Sequence, residues 1–210
     1  MTDTARTPAL ARAWVRAGTE RVLAAVAGLD EAGLSAGTVL PGWTRAHLAA
    51  HIAANADALG NLVRWAATGV RTPMYASPGE RAAGIDRGPA LSAAELRAWL
   101  TDSAHRLAAG LDGLTDEQWR HEVVTAQGRT VPATELPWMR AREVCVHAVD
   151  LGAGTAFADL PDGFLTALVD EVREKRGLTG LPDGPLPDVA AWLTGRPHAL
   201  AGAPELGPWL

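Results

Sequence analysis

The sequence is poor in cysteine and lysine: Cys145 and Lys175 are the only residues of their kind. A single cysteine excludes an intrachain disulfide framework. No apolar run approaches the roughly 18 to 20 residues a membrane span needs. The opening residues Met1-Thr-Asp-Thr-Ala-Arg lack the charged-then-apolar layout of a secretory signal, which makes the cytoplasm the expected compartment. Blocks of consecutive basic residues are also missing, and the formal net charge is −5. Phosphate backbones are bound by clustered Lys and Arg, so nucleic acid is not an expected partner.

What is present describes an ordinary globular protein. Hydrophobic residues make up 48% of the chain and charged residues 20%, which rules out a disordered class. The 210 residues suffice for one large domain, or one with a small appendage, and can bury a sizeable core. Oligomeric state is open between a monomer and a small homo-oligomer.

The hydrophobic periodicity predicts four long amphipathic helices. The first spans about Pro8 to Leu29, with Leu10, Trp14, Val22 and Val26 on one side and Gly18 in the middle of that stripe. Asp3 or Thr4 is its expected cap, and a mid-helix glycine there would admit a neighbouring helix at close range. The second follows the Pro41-Gly42 turn, begins at Thr44 and ends at Gly69. Residues 70–91 read as a long connection with one short helix around Pro78–Ala83. The third begins at the capping box Ser92-Ala-Ala-Glu95 and runs to about Gly110. A short hairpin is expected around Gln127-Gly128, with Pro132 weakening its second strand. The fourth runs from Thr134 or Pro137 to Leu151. Beyond Gly154 the composition shifts, and helices are expected over Asp162–Gly177 and Asp188–Thr194. The expected fold is mainly α: an antiparallel four-helix bundle over residues 1–154 that carries a metal site, and a small second domain over 155–210.

One spacing raises a chemical question. Glu143 and His147 are four apart in the fourth helix and share a side, flanked by Val144, Val146, Ala148 and Val149. A carboxylate so close to a core is costly without a compensating partner. The second helix offers one, because His47, His51 and Asn55 also fall at successive fours. If the two sides face each other, imidazoles and a carboxylate converge as good ligands for a zinc-like ion. Three protein ligands would leave a fourth position open, as in catalytic zinc sites. One of the two histidines can equally be a core residue bonded to backbone, and an isolated Glu–His pair can be a solvated surface pair.

The stretches "LPGWTRAHLAAHIAANADAL" (40–59), "MYASPGERAAGI" (74–85), "LPWMRAREVCVHAVDLGAG" (136–154) and "VAAWLTGR" (189–196) together resemble the mycothiol-dependent maleylpyruvate isomerase family. The resemblance covers nearly the whole chain. It implies a DinB-like four-helix bundle with a small C-terminal α/β lobe, and zinc held by His51, Glu143 and His147. It also implies catalytic arginines at Arg81 and Arg196, the second reaching the site from the C-terminal lobe. Here the loop before Arg81 reads Tyr75-Ala76-Ser77-Pro78, without the family's proline after tyrosine.

The implied reaction turns maleylpyruvate into fumarylpyruvate by thiol addition, bond rotation and elimination. Zinc would either activate the thiol or polarise the carbonyl. The arginines suit the substrate's carboxylates, because guanidinium pairs with them bidentately. Asn55, His47 and Trp138 are candidates for substrate or thiol contact; Trp43 and Trp138 can line a pocket mouth or simply pack. Asp150 can orient His147. Cys145 lies two residues from both ligands and is read as a buried small hydrophobe, not a nucleophile. A mycothiol-dependent S-transferase or thiol-adding biosynthetic enzyme on the same scaffold, and a non-enzymatic metal-binding module, are the alternatives.

Overall fold

The computed structural model of the chain describes residues 6–77 and 79–207. The expected caps Asp3 and Thr4, and Pro78, lie outside the described residues. Helix α1 (Pro8–Ala27) is capped by Thr7, whose side chain accepts from the Leu10 N–H. Its buried stripe is Ala11, Trp14, Gly18, Val22 and Val26. Leu10, expected in that stripe, is 42% exposed. A helix advances 100° per residue, so Ala11 is three residues before Trp14 and takes the inward place.

After the short α2 (Glu31–Ser35), α3 (Arg45–Thr68) starts at Thr44 and ends at Gly69, which adopts φ 71° as a helix-terminating glycine does. More than half of its residues are buried. Leu48, Ile52, Leu59 and Leu62 are buried, and the small Ala49, Ala50 and Ala53 between them let neighbours approach. Burying such a leucine or isoleucine contributes roughly 1.5–3 kcal/mol. The long connection contains α4 (Glu80–Asp86), where the Glu80 carboxylate accepts the Ala76 N–H and pins the preceding turn. Helix α5 (Ala93–Asp112) opens on the expected capping box. The Ser92 hydroxyl accepts from the Glu95 N–H at 3.3 Å, and the Glu95 carboxylate from the Ser92 N–H at 2.9 Å. It runs two residues past Gly110.

Strands β1 (Glu122–Val124) and β2 (Thr130–Pro132) form the expected hairpin, with Val123 opposite Val131. Pro132 sits at the end of its strand, where a missing ladder donor matters least. Helix α6 (Leu136–Asp150) completes the bundle. Helix α1 packs on α6 and α3 on α5, while α3 also touches α6. At the α1–α6 crossing a Cβ on Gly18 would come within 2.6 Å of Val144 Cγ2 and 2.8 Å of Cys145 Sγ, so only glycine permits this approach.

The C-terminal part corrects one expectation. The resemblance implies an α/β lobe, but residues 155–207 carry α7 (Asp162–Lys175) and α8 (Leu186–Leu193) and no strand. Pro182 and Pro185 in the intervening segment remove N–H donors a ladder needs, and Pro187 sits in the first turn of α8, where no helical donor is required. Helix α7 packs its Phe164 edge-on against Trp14 at 6.1 Å and tilted against Trp138 at 5.7 Å.

Polar rungs set the register between α3 and α6. Arg45 donates to the Leu151 carbonyl at 2.6 Å and the Gly152 carbonyl at 3.0 Å, satisfying the C-terminal end of α6. One and a half turns further along α3, His51 faces Glu143. One turn beyond that, Ile52 and Asn55 receive the buried Arg140. Ascending α3 meets descending α6, so the pair is antiparallel.

Candidate metal centre

Helix α6 presents Glu143 and His147 one turn apart, and α3 brings His51 to them across 92 residues of chain. His51 Nε2 is 2.9 Å from Glu143 Oε2, and His147 Nε2 is 3.3 Å from the same oxygen. One ligand atom from each of the three lies within 4.8 Å of the others. The two imidazoles stand edge to face, with centroids 5.0 Å apart. His147 is fixed from behind: its Nδ1 is 2.8 Å from Asp150 Oδ2. Asp150 is fully buried and is itself held by Arg196, Nε to Oδ1 at 3.0 Å and Nη2 to Oδ2 at 2.7 Å.

The electrostatics follow from these contacts. Burial lowers the affinity of His51 for a proton more than Glu143 restores it, so its pKa falls below the ordinary value. Burial would also lower His147, but its hydrogen bonds to Asp150 and Glu143 prevail and raise it to about 9. Glu143 meets the opposite balance. Burial pushes its carboxyl up, yet His147 and His51 together hold it well below the usual carboxylate range. Asp150 is likewise pushed up by burial and drawn down further by His147 and Arg196.

This donor set fits a divalent ion. With Nδ1–H donated to Asp150, neutral His147 turns an Nε2 lone pair toward Glu143 Oε2, an acceptor facing an acceptor. A cation among His51, Glu143 and His147 resolves that conflict as a proton does. Ligands about 2.0–2.2 Å from a tetrahedral zinc stand roughly 3.4 Å apart, close to the observed separations. The carboxylate–histidine pair behind a ligand is the usual way such an imidazole is oriented. The cluster opens onto a cavity of about 1010 Å³, also lined by Trp43, Arg81, Arg142, Val146, Trp192 and Arg196.

The family model for the mycothiol maleylpyruvate isomerase N-terminal domain matches residues 5–152. The chain belongs to this family. A crystal structure of the mycothiol-dependent maleylpyruvate isomerase superposes with a TM-score of 0.89 at 35% identity, covering 96% of this chain and 97% of that one. A structure of a histidine-to-alanine mutant of that enzyme matches equally well. No curated protein matches the sequence.

Within this mycothiol maleylpyruvate isomerase family member, the structure gathers some of the sequence candidates and disperses others. His51, Glu143 and His147 meet. Arg81 lines the cavity, and its guanidinium is also close to Tyr75, whose pKa burial raises. Trp43 lines it too, edge-on to His51 at 5.4 Å. Arg196 arrives from the C-terminal segment as expected, but two of its nitrogens grip Asp150 and a third donates to the Thr194 carbonyl at 2.5 Å. Through Asp150 it braces the His147 ring.

Three candidates go elsewhere. His47 is the third residue of α3 and completes its cap: its Nδ1 accepts the Thr44 N–H at 3.2 Å. Helix starts leave orphan N–H groups, and an imidazole at this position satisfies one. Asn55 accepts from Arg140 Nη1 at 2.8 Å, a buried contact inside the bundle. Trp138 is packed in the core, donating its indole N–H to Glu171. Cys145 is buried, and burial pushes its thiol up to about 12. Sequence reasoning passed over Arg45, Arg140 and Arg142. For Arg140 and Arg142 the run "RARE" (140–143) beside the candidate ligand Glu143 was the available signal, since arginines near a core need acceptors of their own.

Proposed function

We propose that this chain is a zinc- and mycothiol-dependent cis–trans isomerase converting maleylpyruvate to fumarylpyruvate, acting in the cytoplasm. The observation that carries the reading is the His51–Glu143–His147 triad opening onto a large, arginine-lined cavity in a chain of this family. The substrate is a dianion whose double bond cannot rotate until its double-bond character is removed, which reversible thiol addition accomplishes. Zinc, when bound, lowers the pKa of a coordinated thiol and supplies positive charge to developing oxyanions.

The chain's residues do the rest. His51, Glu143 and His147 hold the ion. Asp150 holds the proton on His147 Nδ1, which keeps Nε2 available as a ligand, and Arg196 keeps Asp150 ionised and in place. Arg81 supplies a guanidinium to the anionic substrate. Trp43 and Trp192 contribute apolar walls that limit water.

Metal analysis of the purified protein, with an assay of maleylpyruvate in the presence and absence of mycothiol, tests this directly. One zinc per chain and conversion that needs only catalytic thiol are expected. A stable thioether product would make the protein an S-transferase or thiol-adding enzyme, and bound metal without turnover a binding module.

A further inference from the structure

We propose that Arg142 is a substrate-carboxylate-binding residue of the cavity, taking the part that sequence reasoning gave to Arg196. The inference rests on the isomerase reading for the identity of the dianion, but its geometry does not. Arg142 and Val146 form the row of α6 beside Glu143 and His147, and both rows line the cavity. Arg142 also lines a second, smaller cavity of about 420 Å³, so its side chain stands in the wall between the two.

Its charge is incompletely answered. Arg142 Nη1 donates to Glu171 Oε1 at 2.6 Å. That one carboxylate also receives Arg6 at 2.8 Å, Lys175 at 2.5 Å and the Trp138 indole. Three cations therefore share Glu171, with Glu135 relieving only Arg6, at 3.1 Å. Arg142 Nε is buried and has no partner among the described residues. Arg196 differs in that its Nε, Nη1 and Nη2 all have partners and the buried Asp150 engages it bidentately. A guanidinium beside the metal ligands with donor capacity to spare is suited to a carboxylate. With Arg81 it gives two cations for a substrate with two carboxylates.

The test is a titration of the zinc-loaded protein with maleate, a cis dicarboxylate, followed by calorimetry and by fluorescence of the tryptophans lining the cavity. Arg142→Gln should weaken maleate binding roughly ten- to a hundredfold while zinc content stays at the wild-type value. Arg142→Lys, which keeps the charge for Glu171, should weaken it less. Glu171→Gln, which releases Arg142 from its partner, should bind maleate at least as well as wild type. Unchanged maleate affinity in Arg142→Gln, no maleate binding by the wild type, or an equal loss in Glu171→Gln would each overturn the proposal. Failure of the wild type to turn over maleylpyruvate would instead remove the isomerase reading and leave the maleate result to decide Arg142.

Discussion

Two carboxylates near α6 are answered in opposite ways. Glu171 collects three cations and an indole N–H, all fixed groups that keep their charge or proton across the physiological range. Burial pushes its carboxyl up, but Arg142 and Lys175 outweigh burial and hold it below the usual range. Among the described residues Glu143 is met by two imidazoles, groups that can give up a proton to a metal. The first cluster is saturated by the protein and ties α7 to α6. The second is satisfied only by a titrating group or an ion. The acid ringed by arginine and lysine ties elements of the scaffold together, and the one ringed by histidine has the donor set a metal centre needs.

The sharpest way to break this contrast is Glu143→Ala. Zinc content should fall from one ion per chain to near none and isomerisation to background, while far-ultraviolet circular dichroism stays helical because the apolar stripes hold the bundle. Full metal occupancy in that variant would remove Glu143 from the ligand set. Asp150→Asn should be milder, lowering zinc affinity or turnover by about 10–100-fold, because His147 loses the acceptor that sets its orientation. An unchanged zinc affinity and rate would reduce Asp150 to a structural anchor for Arg196.

Glu171 should respond to pH as a structural acid. Its folded-state pKa is depressed, so its contribution to stability is present above the unfolded value of about 4.3 and is lost as pH falls through the depressed one. Glu171→Gln should therefore cost about 1–3 kcal/mol near neutrality and flatten the acid limb of the unfolding midpoint against pH, with zinc content intact. A loss of zinc in that variant would merge the two clusters. The smallest effect is expected from Cys145→Ala. The thiol is buried against α1, where Sγ is 3.5 Å from the Trp14 carbonyl, and at neutral pH it is not a thiolate. Activity should persist with at most a modest loss of stability, and complete inactivation with metal retained would place Cys145 in the reaction.

Local signals carried much of this protein. The capping box at Ser92, the termination at Gly69, the hairpin and the Glu143–His147 pair all depend on residues within a few positions of one another, where helix and strand periodicity fixes relative direction. Gly18 was legible as a place of close approach, though not which helix would come near. Leu10 was misplaced because one residue of helical rotation separates an inward face from an outward one.

By itself the sequence determined which residues lie on which helical row, because backbone periodicity is local. It therefore supplied two of the candidate ligands as a pair and His51 as one of a same-sided set. His47 closes its own helix through a contact to Thr44 three residues away, whereas only tertiary structure decided that His51 would meet Glu143 and that Asn55 would hold Arg140. It also decided that Arg196 would grip Asp150 and leave Arg142 facing the cavity. Those outcomes turn on side-chain packing and polar rungs between elements 46 to 107 residues apart, for which chain spacing carries no geometric constraint.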